Sequence, residues 1–174
     1  ASDPVNLLQV RRRIKVEKAF RGPSFAVGDC YQIPMHEWEG WSCPESFESA
    51  LGTGAQATTL YSRLTDAQRA DWRSWFGLYR KLDLSRGEYL NLYDLAWDKP
   101  EAHVVKKGER LYYGFFAERW SRATPLTLRG LEPGRAYRVR DYADERDLGV
   151  ITSAKPLLPV AFKDSLLLEL TPES

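Results

Sequence analysis

Cysteine is scarce in this chain. Cys30 and Cys43 are the only two in 174 residues, which excludes a disulfide-built scaffold. One loop-closing bond between them and two free thiols are both open, and the redox compartment stays open with them. Histidine is equally rare, and Cys30, His36 and Cys43 stand at a C-x5-H-x6-C spacing. That spacing matches no zinc pattern and offers three ligands, so no metal is expected there. A Cys–His nucleophile pair stays open, without an evident third residue to orient it. No apolar run approaches the ~18–20 residues that a membrane-spanning helix needs, and no signal-peptide pattern is present. An excess of charge is missing too: 25 Lys and Arg face 24 Asp and Glu, for a net +1. This balance makes no electrostatic case for nucleic acid or an anionic membrane as partner. GTGAQATT, residues 52–59, lacks the glycine spacing of a P-loop or a dinucleotide fingerprint and reads as a turn before a strand.

What is abundant is apolar and aromatic surface. Hydrophobic residues make up 43% and charged residues 28%, enough for a packed core. Six Trp, nine Tyr and seven Phe either fill a β-rich core or line a surface that stacks on flat ligands and sugar rings. The one basic cluster, Arg11-Arg12-Arg13-Ile14-Lys15, is read as a solvated helix face, with a phosphate-binding patch as the other reading.

The order of elements divides the chain. Ser2-Asp3-Pro4 starts a helix whose apolar residues Leu7, Val10, Ile14 and Phe20 recur at helical spacing, and Arg21-Gly22-Pro23 stops it. Ser24–Val27 predicts a short buried strand, 44–51 a helical turn, and Ala57–Tyr61 a further strand. Thr65-Asp66-Ala67-Gln68 fits a capping box. Trp72, Trp75, Phe76 and Tyr79 then form an aromatic stripe along the helix that follows, a pattern expected of core packing. From Glu88 the period falls to two, with Tyr89, Asn91, Tyr93, Leu95 and Trp97 alternating with their neighbours. Turn signals at Lys106-Lys107-Gly108-Glu109, Glu132-Pro133-Gly134 and Lys163-Asp164-Ser165 predict hairpins in an antiparallel sandwich. Asp94, Asp98, Asp141, Asp144 and Asp147 fall at predicted turns, where Asp serves the backbone. The fold class expected is therefore α/β followed by all-β, with a boundary near Ser85.

That succession resembles the C-terminal portion of retaining α-galactosidase-type enzymes, the clan of glycoside hydrolase families 36 and 27. The resemblance is densest in SRLTDAQRADWRSWFGLYRKLDLSRGEYLNLYD, residues 62–94, and extends through DKPEAHVV, LYYGFFA, LRGLEPGRAYRVRDY and LLLELTPE. It implies that residues 1–85 are the last part of a (β/α)8 barrel and that residues 86–174 form an antiparallel β-sandwich domain. It also implies a hydrolase acting on α-galactosides, without a cofactor.

Two aspartates at the ends of barrel strands do the chemistry in that clan, and Gly28-Asp29 resembles the strand end that carries the acid/base. The chemistry agrees with such a placement. Carboxylates at the C-terminal ends of barrel strands face the catalytic mouth. A retaining cleavage needs one protonated and one ionised carboxyl about 5–5.5 Å apart. Asp29 is thus the catalytic residue expected, while a loop cap or an ion pair with a nearby Arg is its plainer use. In the loop that follows, Cys30, Trp38 and Trp41 are the substrate-binding residues implied. The two indoles would either stack on a sugar or lie under the loop, and Cys30 would either touch the sugar or serve as a small hydrophobe.

No residue here matches the nucleophile motif of the clan, and the loop after Asp29 is short, as in a divergent branch of family 36. A full barrel takes about 200 residues or more. The chain opens on Ala-Ser-Asp-Pro, and the expectation is a segment completed by the rest of a longer barrel protein or by partner chains. A non-catalytic carbohydrate-binding or assembly module is the alternative from a different class.

Overall fold

The computed structural model describes residues 7–25, 27, 43–56, 64–95 and 97–174. It divides into two compact units, Ala1–Tyr89 and Leu90–Ser174. Among the described residues the helices lie in the first, and the second is a mostly antiparallel sheet.

In the first unit α1 (Leu7–Arg21) precedes α2 (Cys43–Thr53) and α3 (Asp66–Leu82). Helix α1 ends where Gly22, at φ +113°, donates its N–H to the Lys18 carbonyl at 3.0 Å, a conformation that glycine adopts without penalty. Val10 and Ile14 face inward as their spacing predicts and cluster with Val27 and Ala55. The basic run differs from its expected role: Arg12 and Arg13 are exposed, but Arg11 is buried and donates to Ser49 Oγ on α2 at 3.0 Å. Phe20, read as part of the apolar face, is 87% exposed.

Helix α3 carries the expected capping box. Gln68 N–H donates to Thr65 Oγ1 at 3.3 Å, and Thr65 N–H donates to Gln68 Oε1 at 2.8 Å. Its aromatic stripe meets Phe47 of α2, which is fully buried. Ring centroids lie 6.3 Å from Trp72, 6.2 Å from Trp75 and 6.4 Å from Tyr79. The stripe itself is only half-buried, and no residue of α3 is fully enclosed. Tyr79 fixes the end of α2 by donating its hydroxyl to the Ala55 carbonyl at 2.9 Å.

The strands form a six-stranded sheet in the order β1-β2-β3-β8-β5-β6, in which β1 spans the boundary of the units and the rest belong to the second, and a two-stranded ribbon, β4-β7. The strands are β1 (Glu88–Leu90), β2 (Glu101–Lys107), β3 (Arg110–Trp120), β4 (Leu126–Thr127), β5 (Ala136–Asp141), β6 (Arg146–Thr152), β7 (Leu157–Leu158) and β8 (Phe162–Pro172). One sheet face gives Ala102, Val104, Leu111, Tyr113, Phe115, Tyr137, Val139, Leu166, Leu168 and Leu170 to a core that the ribbon residues Leu126 and Leu158 join. The central strands β3 and β8 are also apolar at intervening positions, with Phe116 and Leu167 buried, as strands covered on both faces require.

The hairpin between β2 and β3 follows its sequence signal, with Gly108 at φ +61° in the turn. At Glu132-Pro133-Gly134 a turn forms, with Gly134 at φ +78° and Arg135 N–H donating to the Glu132 carbonyl at 3.2 Å, but it closes no hairpin, because β4 pairs with β7 while β5 pairs with β6 and β8. Three further features differ. Lys163-Asp164-Ser165 makes no hairpin: β8 pairs with β3 from Trp120↔Phe162 to Leu111↔Leu170. A bulge between Ala117 and Arg119 and a φ of +65° at Asp164 absorb the irregular stretch. The alternation from Glu88 to Trp97 supports only the three residues of β1, after which the chain turns on hydrogen bonds between Asp94 and Asp98. Finally, β6 arises where only turn aspartates were read. Buried Asp141 accepts N–H groups from Ala143 and Asp144 and pairs with Arg146 at 2.7 Å, closing the β5–β6 hairpin.

Candidate functional site

The segment expected to carry catalysis is held at both its ends. On the near side, Gln56 N–H donates to the Val27 carbonyl at 2.7 Å. Ser24 and Phe25, expected in a strand, instead lie in a turn that Phe25 N–H closes on the Gly22 carbonyl at 3.0 Å. Val27 is itself buried with Val10, Ile14 and Ala55. Lys18, 2% exposed, donates its ammonium to the Phe25 carbonyl at 3.1 Å. Burial of that amine pushes its pKa below the ordinary value. On the far side α2 begins at Cys43 and is tied to α1 through Arg11 and Ser49, while Thr53 Oγ1 donates to the Ser49 carbonyl at 2.7 Å.

Asp29, Cys30, Trp38 and Trp41 lie between these anchors and outside the described residues, as do His36 and the strand expected at Ala57–Tyr61. Cys43 is described only as the first residue of α2. Among the described residues no group of three or more His, Cys, Asp or Glu could hold a metal ion.

The second unit contains ionisable clusters that sequence reasoning missed. His103 Nε2 lies 2.6 Å from Glu101 Oε2; the imidazole is fully buried, the carboxylate nearly so, and Phe116 meets the ring edge-on. The signal was a pair of polar residues two apart on a strand, alternating with Ala102 and Val104. Such an enclosed pair within one strand is suited to satisfying its own buried polar atoms rather than to receiving substrate. Glu169 takes the Tyr112 hydroxyl at 2.9 Å and Arg110 at 3.3 Å. Burial, then the bond to Glu169, pushes the Tyr112 phenol up to about 12. Around Asp98 the Arg129 guanidinium donates two parallel hydrogen bonds, 2.6 and 2.8 Å. The same guanidinium lies 4.7 Å from the Tyr93 ring centroid. Burial pushes the Tyr93 phenol up to about 12, and its hydroxyl donates to the Thr127 carbonyl and accepts from Arg129 N–H at 2.9 Å.

No protein-family model matches the chain. It is 27% identical over 175 residues to the A type blood α-D-galactosamine galactosaminidase of Flavonifractor plautii, covering 97% of this chain and 15% of that protein. Among solved structures, it is similar to the GH36 α-galactosidase AgaA of Geobacillus stearothermophilus in complex with raffinose. That match has a TM-score of 0.68 at 17% identity and covers 99% of this chain and 25% of the enzyme. The GH36 α-galactosidase AgaB of the same organism matches at a TM-score of 0.64 and 17% identity, with the same coverage. The chain thus spans a small part of the length of each relative. Sequence and fold agree with the resemblance carried by residues 62–94 and the β strands beyond them: the chain is similar to a segment of GH36-type glycoside hydrolases.

Proposed function

We propose that the chain is the C-terminal segment of a retaining glycoside hydrolase acting on α-galactosides. In this reading residues 1–85 belong to a (β/α)8 barrel and residues 86–174 form its β-sandwich domain. Asp29 is the acid/base, protonating the glycosidic oxygen and then activating water. The nucleophile belongs to the remaining barrel portion, outside this chain, and Cys30, Trp38 and Trp41 line the sugar. The observation that carries the proposal is the 27% identity to a galactosaminidase over 97% of this chain. The two anchors add a physical reason. Val27 is buried and its carbonyl is held by Gln56 immediately before Gly28-Asp29, which would suit a carboxylate presented at a barrel mouth.

The test is the intact mass of the purified native protein under denaturing conditions, with turnover measured on α-galactosides of differing leaving group. The expected mass exceeds the 20.0 kDa of this chain. Asp29→Asn should slow a disaccharide by about 10²–10⁴-fold and an aryl galactoside with an acidic phenol far less, since only a poor leaving group needs the proton. Asp3→Asn is the comparison, because Asp3 lies in the same unit and is given no role in the chemistry. Full activity of Asp29→Asn on the disaccharide would remove Asp29 from the acid/base role. A mass equal to this chain, with sugar binding and no turnover, would favour the non-catalytic module.

A further inference from the structure

Trp97 stands apart from the other described tryptophans. Its side chain is 84% exposed, whereas Trp72, Trp75 and Trp120 are half-buried. An indole left in water forgoes the stabilisation that burial of its apolar surface would give. Yet the loop beneath it is fixed. Trp97 N–H donates to Asp94 Oδ1 at 3.3 Å, Asp94 N–H to Asp98 Oδ2 at 2.6 Å, and Asp98 N–H to the Asp94 carbonyl at 2.8 Å. Arg129 clamps Asp98 with two bonds and donates a further one to the Leu92 carbonyl at 2.9 Å. Its guanidinium rests on buried Tyr93. The ring is therefore presented on a pre-ordered support, so a ligand would not have to meet the cost of ordering the loop.

The surroundings choose the ligand. A single indole offers roughly 150–250 Å², whereas a stable protein partner needs about 800 Å² on each side with an apolar centre. The residues beside Trp97 are Asp94, Asp98 and Lys99, with Arg129 on the brace, and the other exposed apolar side chains of this unit, Val150 and Leu157, belong to β6 and β7. A flat apolar ring edged by carboxylates and cations suits a sugar, whose C–H face packs on the ring while its hydroxyls hydrogen-bond around it. We infer that Trp97 is a carbohydrate-binding platform of the second unit.

The test is an amide and indole NMR titration of the whole chain with raffinose, the Trp97 indole resonance being identified by its loss in Trp97→Phe. That resonance should shift saturably with a Kd on the order of 1 mM, and Trp97→Ala should weaken binding by about tenfold or more while its other resonances keep their positions. Asp29→Asn should leave the shift intact, so failure of the catalytic reading would not erase this one. An unmoved indole up to tens of times that concentration overturns the inference. Full binding in Trp97→Ala overturns it too. So does an indole that shifts with protein concentration and not with sugar, because the ring then meets a second copy of the chain.

Discussion

Phe47 and Phe115 are the same residue, 0% and 1% exposed, in units built on different terms. Phe47 is enclosed by aromatics of a single helix, α3, that are themselves half in water. Phe115 sits on a central strand, opposite Leu166, with its ring against Tyr93 and Tyr113 in a core drawn from both the sheet and the ribbon. Burial of one side chain does not by itself tell how firmly its surroundings are held. A helix can close onto a gap by a small shift, while a strand hydrogen-bonded on both sides cannot. The cost of a truncation depends on that freedom.

The sharpest way to break this comparison is to truncate both. Phe115→Ala should cost about 4 kcal/mol and Phe47→Ala about 3 kcal/mol, both within the range for buried phenylalanine. Hydrogen exchange read peptide by peptide separates the units. The first substitution should speed exchange in β3 and β8, the second in α2 and α3. Equal or reversed costs would show that the half-exposed stripe of α3 is as rigid as the sheet.

The same contrast governs how much was legible in the sequence. Local signals were read correctly wherever the physics is local: the Thr65–Gln68 capping box and the glycine turn between β2 and β3 need only their own neighbours. Readings failed where a distant partner decides. Arg11 looks like any surface arginine until Ser49 receives it. Lys163-Asp164-Ser165 looks like a hairpin until the β3 bulge opposite allows β8 to run through it. β6 was hidden because its Asp147 and Gly149, at φ +91°, belong to turn and irregular-edge vocabulary although the strand pairs with β5. The residues expected in the candidate site lie outside those described; of the strand expected before them, Ser24 and Phe25 form a turn instead, because the Gly22 carbonyl receives the Phe25 N–H, while the helix expected at 44–51 was legible and forms α2. The polar pair Glu101–His103 was not, since its chemistry appears only when both side chains are enclosed.

A smaller effect tests whether the polar network of the second unit is structural or merely present. Arg129→Ala removes both bonds to Asp98, the bond to Leu92 and the contact with Tyr93. Arg129 is 42% exposed at its side chain, so screening keeps the loss to about 1–2 kcal/mol. Exchange should quicken in residues 91–99 and leave β8 unchanged. Protection lost throughout the sheet would mean that the brace holds the whole unit.

The smallest effect at neutral pH lies in the first unit, at Lys18. Its amine is buried and its folded pKa lies below 10.5, because burial disfavours the charged form. Where both states are protonated, the folded state alone bears the cost of the buried charge. As pH rises through the folded pKa toward 10.5, the folded state releases its proton first and stability increases, the unfolded chain then binding more protons. Tyr93 and Tyr112 act in the opposite sense at higher pH. With folded values of about 12 against an ordinary 10, they remove stability as pH rises above 10. The rise due to Lys18 must therefore be read below pH ~10, in exchange of α1 peptides. Lys18→Met keeps the length of the side chain, deletes the charge and gives up the bond to the Phe25 carbonyl. The variant should lose the upward slope and change little at neutral pH, the deleted desolvation cost offsetting the lost hydrogen bond. An unchanged slope in Lys18→Met would place the titrating group elsewhere, and a large loss at pH 7 would make the Phe25 bond the dominant anchor of the segment that leads to Asp29.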